Sequence, residues 1–473
     1  MESTKIFLAG HFIETDKTLK IYYPYTGDLF ATTYRAGEKE FNKAVEAAQS
    51  VKKEMKQMPA YRKSAILSQI RQRLIDMKET FAQTITAESG KPIRNSRIEV
   101  DRSIGIFTVA AEEAKRLPRE YFGIDWVSSG ENREALVKYF PVGIVAGISP
   151  FNFPLNLAVH KIAPAIAAGC PIILKPSSTT PLSTLLLSTL LAETDLPAGA
   201  ISVLPMDRET GNKLVTDERI AMISFTGSPE VGWKMKEQSG KKKITLELGG
   251  NAGIIVSDEA DFNQAVNKCL NSSFTYSGQT CIHSQRIFVH KSIFSKFLQA
   301  MKENAEKLII GDPLHDDTDM SVLIDEQNAV RVEEWVNEAI KKGAKLITGG
   351  KRTKNLYEPT ILTGTDNTMK VCSEEVFGPV VIIEQYEDYN QALTMINNTR
   401  FGLQAGVFTS RIDEMNKAFN ELEVGGVIIN DGPTFRADHM PYGGIKDSGF
   451  GREGVKYAIF EMMESRVLIK EEY

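Results

Sequence analysis

Residues 142–150 read VGIVAGISP, and three runs of the same texture follow: PIILKPS at 171–177, ISVLPM at 201–206 and AMISFTGS at 221–228. Each is a short apolar stretch that ends on turn residues. Between them lie LAVHKIAPAIAAG (157–169), PLSTLLLSTLLAET (181–194), ETGNKLVTD (209–217) and EVGWKMKEQ (230–238), which read as helices. Continuous apolar runs of this length suit strands buried on both faces, and their alternation with helices predicts βαβ units on a parallel sheet. Ligands of such open sheets bind outside the carboxyl ends of the strands. The polar ends SPFN, KPSS and FTGS are therefore the expected cofactor contacts.

A second alternating series starts at NAGIIVSDEAD (251–261) and continues through RIFVH, KLITGG, VVIIEQ, AGVFTS and GVIIND. SKFLQAMKENAEKL (295–308) and VRVEEWVNEAIKKG (330–343) supply helices between these strands, so a second α/β domain begins near residue 250. Upstream, residues 1–35 read as short strands and turns. Residues 38–117 place apolar side chains at helical spacing, as in AVEAAQSVKKEM and KSAILSQIRQRLIDMKETFAQTIT. The tail ESRVLIKEEY (464–473) alternates like a strand and needs a partner, expected around residues 123–140 of this chain or of another subunit.

A chain of 473 residues exceeds one core, so two or three domains are expected. The 56 basic and 61 acidic residues are spread evenly, leaving no footprint for nucleic acid or an anionic membrane. The run Lys241-Lys242-Lys243 reads as a solvated strand entry. Cys170, Cys269, Cys281 and Cys372 have no metal-ligand or disulfide-framework spacing. With neither a secretory signal nor a membrane-length apolar run, a cytoplasmic protein without a metal is the expectation.

Candidate chemistry is sparse when each residue stands alone. FTGSPEVG (225–232) lacks the dinucleotide and Walker fingerprints, but its glycine and following helix start suit either an anion or an ordinary N-cap turn. Lys175 lies at a strand end, where it is either solvated or against a nucleotide. Glu247 precedes Gly249 and Gly250 in ELGG, as a domain-boundary turn residue or as a general base. Cys281, in SGQTC, is either a core thiol or a nucleophile with the access that a thiolate needs.

Taken together, SPFNFPLN, KPSS, FTGSPEVG, ELGG, SGQTC, EEVFGPV and PYGGIKDSGFGREG resemble the aldehyde dehydrogenase superfamily in order and spacing, over essentially the full chain. The resemblance implies a Rossmann-like cofactor domain (1–122, 142–249 and 448–462) and an α/β catalytic domain (250–447). It also implies a small β oligomerisation arm (123–141 and 463–473), and with it a homodimer or homotetramer. Cys281 resembles the family nucleophile, Glu247 its base, Asn152 the oxyanion-hole side chain and Lys161 a lysine near the active site. Ile148, Ser149, Pro150, Phe151, Lys175, Ser178, Gly227, Ser228, Gly249, Glu375 and Phe377 match cofactor-binding positions. Phe151 stands where a tryptophan is common. Ser178 replaces the glutamate that NAD-preferring members use on the ribose 2′-hydroxyl, so the cofactor is read as NAD(P)+, leaning to NADP+ or dual use.

The resemblance then implies oxidation of an aldehyde to its acid through a thioester on Cys281. Arg102, His283, Arg436 and His439 are expected around the substrate mouth, favouring a small anionic or hydroxylated aldehyde. Lactaldehyde, phosphonoacetaldehyde, succinic semialdehyde and glyceraldehyde 3-phosphate are the class. An ion pair of Arg102 with Glu99 or Asp101 is the competing role for that arginine, and Arg286 reads as structural. A cofactor-independent thiol hydrolase leaves Lys175, Ser228 and Glu375 without a use, and a catalytically silent homologue leaves Cys281, Glu247 and Asn152 without one.

Overall fold

The computed structural model describes residues 3–471, so the last two residues of the tail read as a strand lie outside the described residues. The four apolar runs become neighbouring parallel strands: Ile201–Val203, Ile172–Lys175, Ile144–Ile148 and Ile220–Thr226, extended by Lys243–Glu247. Antiparallel strands Ile6–Leu8 and His11–Ile13 close one edge, and Gly449–Phe450 the other, giving eight strands. The chain is thus an α/β fold of Rossmann-like architecture.

Helix Pro154–Ala168 follows the first of these runs and is buried along its whole length. Most of its residues are apolar, and a helix buried all round has to be so apart from polar side chains that find partners, such as Lys161 on Thr226 and Glu453. Helix Ile93–Glu113 covers one side of it and helix Leu182–Ala192 another. Gly169 ends it at φ +86°, where a Cβ would meet the Met55 carbonyl oxygen at 2.8 Å. The segment read as helical from 38 resolves into Glu38–Gln57, Ala60–Asp76, Lys78–Ser89 and Ile93–Glu113.

The second series forms a seven-stranded sheet in the order Lys345–Thr348, Thr360–Thr363, Val380–Tyr386, Ser284–His290, Ala252–Val256, Gln404–Phe408, Gly426–Ile429. Only the first of these strands is antiparallel to its neighbour. The tail strand Met463–Glu471 pairs with Arg133–Pro141 of the same chain. Strand Arg119–Gly123 joins them, so this small sheet begins at Arg119, inside the segment assigned above to the cofactor domain. No helix among the described residues is long and apolar enough to cross a membrane.

Candidate active site

Helix Phe262–Phe274 starts on the side chain of Asp261, which accepts from the Gln264 amide at 2.9 Å. Soon after it ends, three successive residues turn left-handed: Tyr276 (φ 50°), Ser277 (φ 53°) and Gly278 (φ 68°). A Cβ on Gly278 would lie 2.2 Å from the Gly378 carbonyl oxygen, so glycine alone fits there. The two non-glycine residues are strained and must be held. Ser277 donates its hydroxyl to the Ser321 carbonyl at 2.7 Å, and the Tyr276 ring lies under the Lys91 ammonium at 4.5 Å. This turn presents Cys281, partly exposed, to a cavity of 580 Å³.

Asn152 enters the same cavity from the loop between strand Ile144–Ile148 and helix Pro154–Ala168. Its Nδ2 donates to the Gln279 carbonyl at 3.1 Å, and its Oδ1 accepts from the Phe153 amide at 3.1 Å. One Nδ2 hydrogen is left for a ligand. The start of that helix is anchored by Glu99, whose Oε1 accepts from the amides of Leu155 and Asn156 at 3.0 and 3.1 Å. Lys91 pairs with Glu99 in full burial and lies over the Phe153 ring at 3.9 Å. Neither residue belongs to a quoted motif, and only the buried pair shows what they hold.

Glu247 ends strand Lys243–Glu247, is 3% exposed, and has no partner on either carboxylate oxygen. Burial first, then the charge of Glu453, pushes it well above the usual carboxylate range, with Arg436 and Lys161 opposing in part. Glu453 behaves oppositely. Burial works against its charge, but Lys161 and Arg436 hold it down at about 2. One buried carboxylate is therefore committed to cations and its neighbour is free to exchange a proton. Burial also pushes the Cys281 thiol up to about 11, with the Tyr442 hydroxyl pulling it partly back at 3.3 Å.

The cavity also brings together Arg102, Arg436, Pro150, Phe151, Glu375 and Phe377. Arg102 grips Asp438 as a fork, Nη2 to Oδ1 at 2.7 Å and Nε to Oδ2 at 3.0 Å, rather than pairing with Glu99 or Asp101. Arg436 is buried, 3.2 Å from Glu453 and 3.4 Å from Asp438, and lies 3.7 Å from the centre of the Tyr442 ring. Asp438 also meets His160 Nε2 at 2.9 Å. The same Nε2 also meets Arg436 Nη2 at 3.1 Å, and burial first, then the charge of Arg436, lower His160 from its ordinary value. His160, Asp438, Tyr442 and Glu453 were not singled out from sequence, although the last three lie within FRADHMPYGG and PYGGIKDSGFGREG.

Three expected residues lie elsewhere. His283 turns away from the cavity: its Nε2 takes the Ser273 carbonyl at 2.9 Å, and burial lowers it to about 4, so the ring donates there as a neutral group. His439 is exposed and does not line the cavity. Lys161 is fully buried behind the wall, bonded to Thr226 Oγ1 at 2.8 Å and Glu453 Oε1 at 3.1 Å. Arg286 is structural as expected, donating to the carbonyls of Asn251, Met395 and Ile396.

The strand ends beside the cavity suit a dinucleotide. Ser149 Oγ, following strand Ile144–Ile148, is buried with no partner. Gly227 and Ser228 lead into helix Pro229–Gln238, whose first amides have no side-chain cap. Glu375 packs on Gly249, where a Cβ would come within 2.4 Å of Oε2, and accepts from the Gly250 amide at 3.0 Å. Burial raises Glu375 to about 7. Phe377, at φ 45°, meets Phe151 edge-on at 5.8 Å. Lys175 reaches only the Pro176 carbonyl, at 3.5 Å, and Ser178 donates to the Met206 carbonyl at 3.3 Å from a separate cavity of 370 Å³. Arg35 carries a buried Nε without a partner, beside Ala36, which bridges to Met206.

The chain matches the Aldehyde dehydrogenase family over residues 12–468. It is 42% identical to the 3-sulfolactaldehyde dehydrogenase of Priestia aryabhattai, covering 98% of this chain and 97% of that one. Aldehyde dehydrogenase 21 of Physcomitrella patens, solved with the reaction product succinate, superposes with a TM-score of 0.98 at 43% identity over 100% of this chain and 98% of that one. Glyceraldehyde-3-phosphate dehydrogenase GapN of Methanocaldococcus jannaschii, complexed with NADP, gives a TM-score of 0.92 at 39% identity over 96% and 99%.

Proposed function

The chain belongs to the aldehyde dehydrogenase family, and we propose that it oxidises a short aldehyde with an anionic group at its far end to the carboxylic acid. The observation that carries this reading is Cys281 and an unpartnered Glu247 on the wall of one cavity, with Arg102 and Arg436 lining the same space. The Cys281 sulfur adds to the aldehyde carbon, and the remaining Asn152 hydrogen steadies the oxyanion that forms. A nicotinamide cofactor supplies the acceptor for the hydride whose loss turns this adduct into a thioester. Glu247 takes a proton from water, the resulting hydroxide adds to the thioester, and Cys281 leaves as the thiolate. Lys161 acts from behind the wall, holding Glu453 as a charged carboxylate.

Ser149, Lys175, Gly227, Ser228, Gly249, Glu375 and Phe377, with Ile148, Pro150 and Phe151, would hold the cofactor. We assign NADP+ or dual use, because Ser178 adds no charge against a 2′-phosphate while Lys175 and Arg35 offer cations near it. The substrate class draws on chemistry shared by three of the relatives: 3-sulfolactaldehyde, succinate and glyceraldehyde 3-phosphate each end in an anion.

The test is reduced-cofactor absorbance with 3-sulfolactaldehyde, succinic semialdehyde, glyceraldehyde 3-phosphate, phosphonoacetaldehyde, lactaldehyde and propanal, each with NAD+ and NADP+. An anionic aldehyde is expected to give the highest kcat/KM. Propanal winning by about tenfold would remove the anionic-tail reading. Glu247→Gln should give a burst of reduced cofactor without sustained turnover, and Cys281→Ala no burst at all.

We further propose a homodimer or homotetramer built on the small sheet. Strand Met463–Glu471 is an edge strand that exposes Val467, Leu468 and Ile469, a template that a second copy of the chain would cover. Sedimentation of a monomer at micromolar concentration would contradict it.

A further inference from the structure

We propose that Tyr442 is a catalytic residue of this oxidation, its hydroxyl being the hydrogen-bond donor that holds the attacking sulfur of Cys281 as negative charge develops there. The inference rests on Cys281 acting as the nucleophile. The Tyr442 oxygen lies 3.3 Å from Sγ, within the range for a bond to sulfur. Its ring is 3% exposed and packs with Ile282, Leu403 and Met440, of which only the Met440 thioether is an acceptor, and a weak one. A buried phenol needs an outlet for its proton, and the Cys281 sulfur is the one within reach.

Two features make that donor strong and fixed. The Arg436 guanidinium lies 3.7 Å from the ring centre, and a cation on the ring face draws electron density from the phenol. The Tyr442 backbone is pinned to Glu453, with amide-to-carbonyl bonds of 3.0 Å in one direction and 2.6 Å in the other. Glu453 also holds Arg436, so a single carboxylate residue sets both the ring and the cation above it. The remaining charged groups facing Cys281 are Glu247 and Glu375, and both oppose its ionisation. Burial raises Tyr442 as well, so the phenol keeps its proton and acts as donor rather than base.

Tyr442→Phe deletes the oxygen and leaves the ring beneath Arg436. Wild type and variant, free of aldehyde and cofactor, would be alkylated with iodoacetamide across the alkaline range, with Cys281 labelling followed by mass spectrometry and Cys281→Ala as the blank. Losing a bond to a charged group should raise the labelling midpoint by about one to two pH units, so that Cys281 reacts roughly ten- to a hundredfold more slowly below it. A midpoint unchanged at unchanged Tm would overturn the proposal. General disturbance of the fold would instead expose buried Cys170, Cys269 and Cys372 to label without moving the midpoint, and would also count against it. If Tyr442→Phe fails to fold, 3-fluorotyrosine at position 442, a stronger donor, must lower the midpoint, and no movement would refute the assignment. None of these readouts needs an aldehyde, so they can succeed or fail independently of the substrate panel.

Discussion

Replacing Arg102 with leucine removes the more exposed of the two arginines that line the cavity. Its side chain is 24% exposed and spends Nε and one Nη2 hydrogen on Asp438, leaving three N–H groups of the guanidinium directed elsewhere. Arg436, by contrast, is 6% exposed and already shared between Glu453 and Asp438. An anionic tail bonded to Arg102 gains about 1.5–3 kcal/mol from a charge-assisted bond, or roughly ten- to 150-fold in kcat/KM. The substitution should exceed the low end, because Asp438 then faces the tail with one less counter-charge. The fold should survive, since Asp438 keeps His160 and Arg436 as partners. The assay is the ratio of kcat/KM for succinic semialdehyde to that for propanal, in wild type and Arg102→Leu. We expect about a hundredfold fall for the anion and less than about threefold for propanal. Asp438→Asn should move the ratio the other way, since it removes a negative charge beside the tail. Equal losses on both aldehydes, or no loss on the anion, would refute the reasoning.

Ser178→Glu should lower kcat/KM for NADP+ by about a hundredfold while sparing NAD+, since a carboxylate there would face the 2′-phosphate; parallel kinetics with both cofactors check it. Glu88, fully buried and accepting from the amides of Leu182 and Ser183, is raised by burial from its ordinary 4.5 to about 8. A carboxyl raised on folding contributes stability that is complete below about pH 4.5 and lost as pH climbs through about 8; the Tm of wild type relative to Glu88→Gln should therefore fall across that window. His283→Ala should lower Tm by a few degrees through loss of the buried bond to Ser273, yet leave the anion-to-propanal ratio unchanged. A changed ratio would return His283 to the substrate site.

The parallel sheets were legible because burial on both faces forces continuous apolar runs, and every run quoted from 142 to 228 became a strand in one sheet. Cys281, Glu247 and Asn152 were legible only through ordered motifs, since Cys281 and Glu247 alone had at least as good a structural reading and Asn152 entered only with the resemblance. What stayed hidden was pairing at a distance. Asp438 lies two residues from Arg436, yet its grip on Arg102 depends on how the catalytic loop falls across helix Ile93–Glu113. The same holds for Lys91 and Glu99, which no local pattern marks as anchors of the helix that follows Asn152. His283 misled because a residue two positions beyond Cys281 is close in sequence, but its ring turns to the Ser273 carbonyl instead.

The charges around the cavity divide into two layers with different duties. Lys161 from behind the wall and Arg436 from within it hold Glu453 down at about 2 against its burial, and its field falls on Glu247. Burial first, and then that field, raise Glu247 well above the usual carboxylate range, and burial raises the Cys281 thiol to about 11. Both shifts work against two negative charges accumulating before a substrate arrives. On the proposed mechanism, an arriving carbonyl gives the sulfur's electrons somewhere to go and places the new charge against Asn152. An unpartnered Glu247 would be a defect in a storage or packing protein, costing desolvation without a bond in return. In a site that must move a proton only after an acyl group has formed, the same missing partner is what keeps the base available.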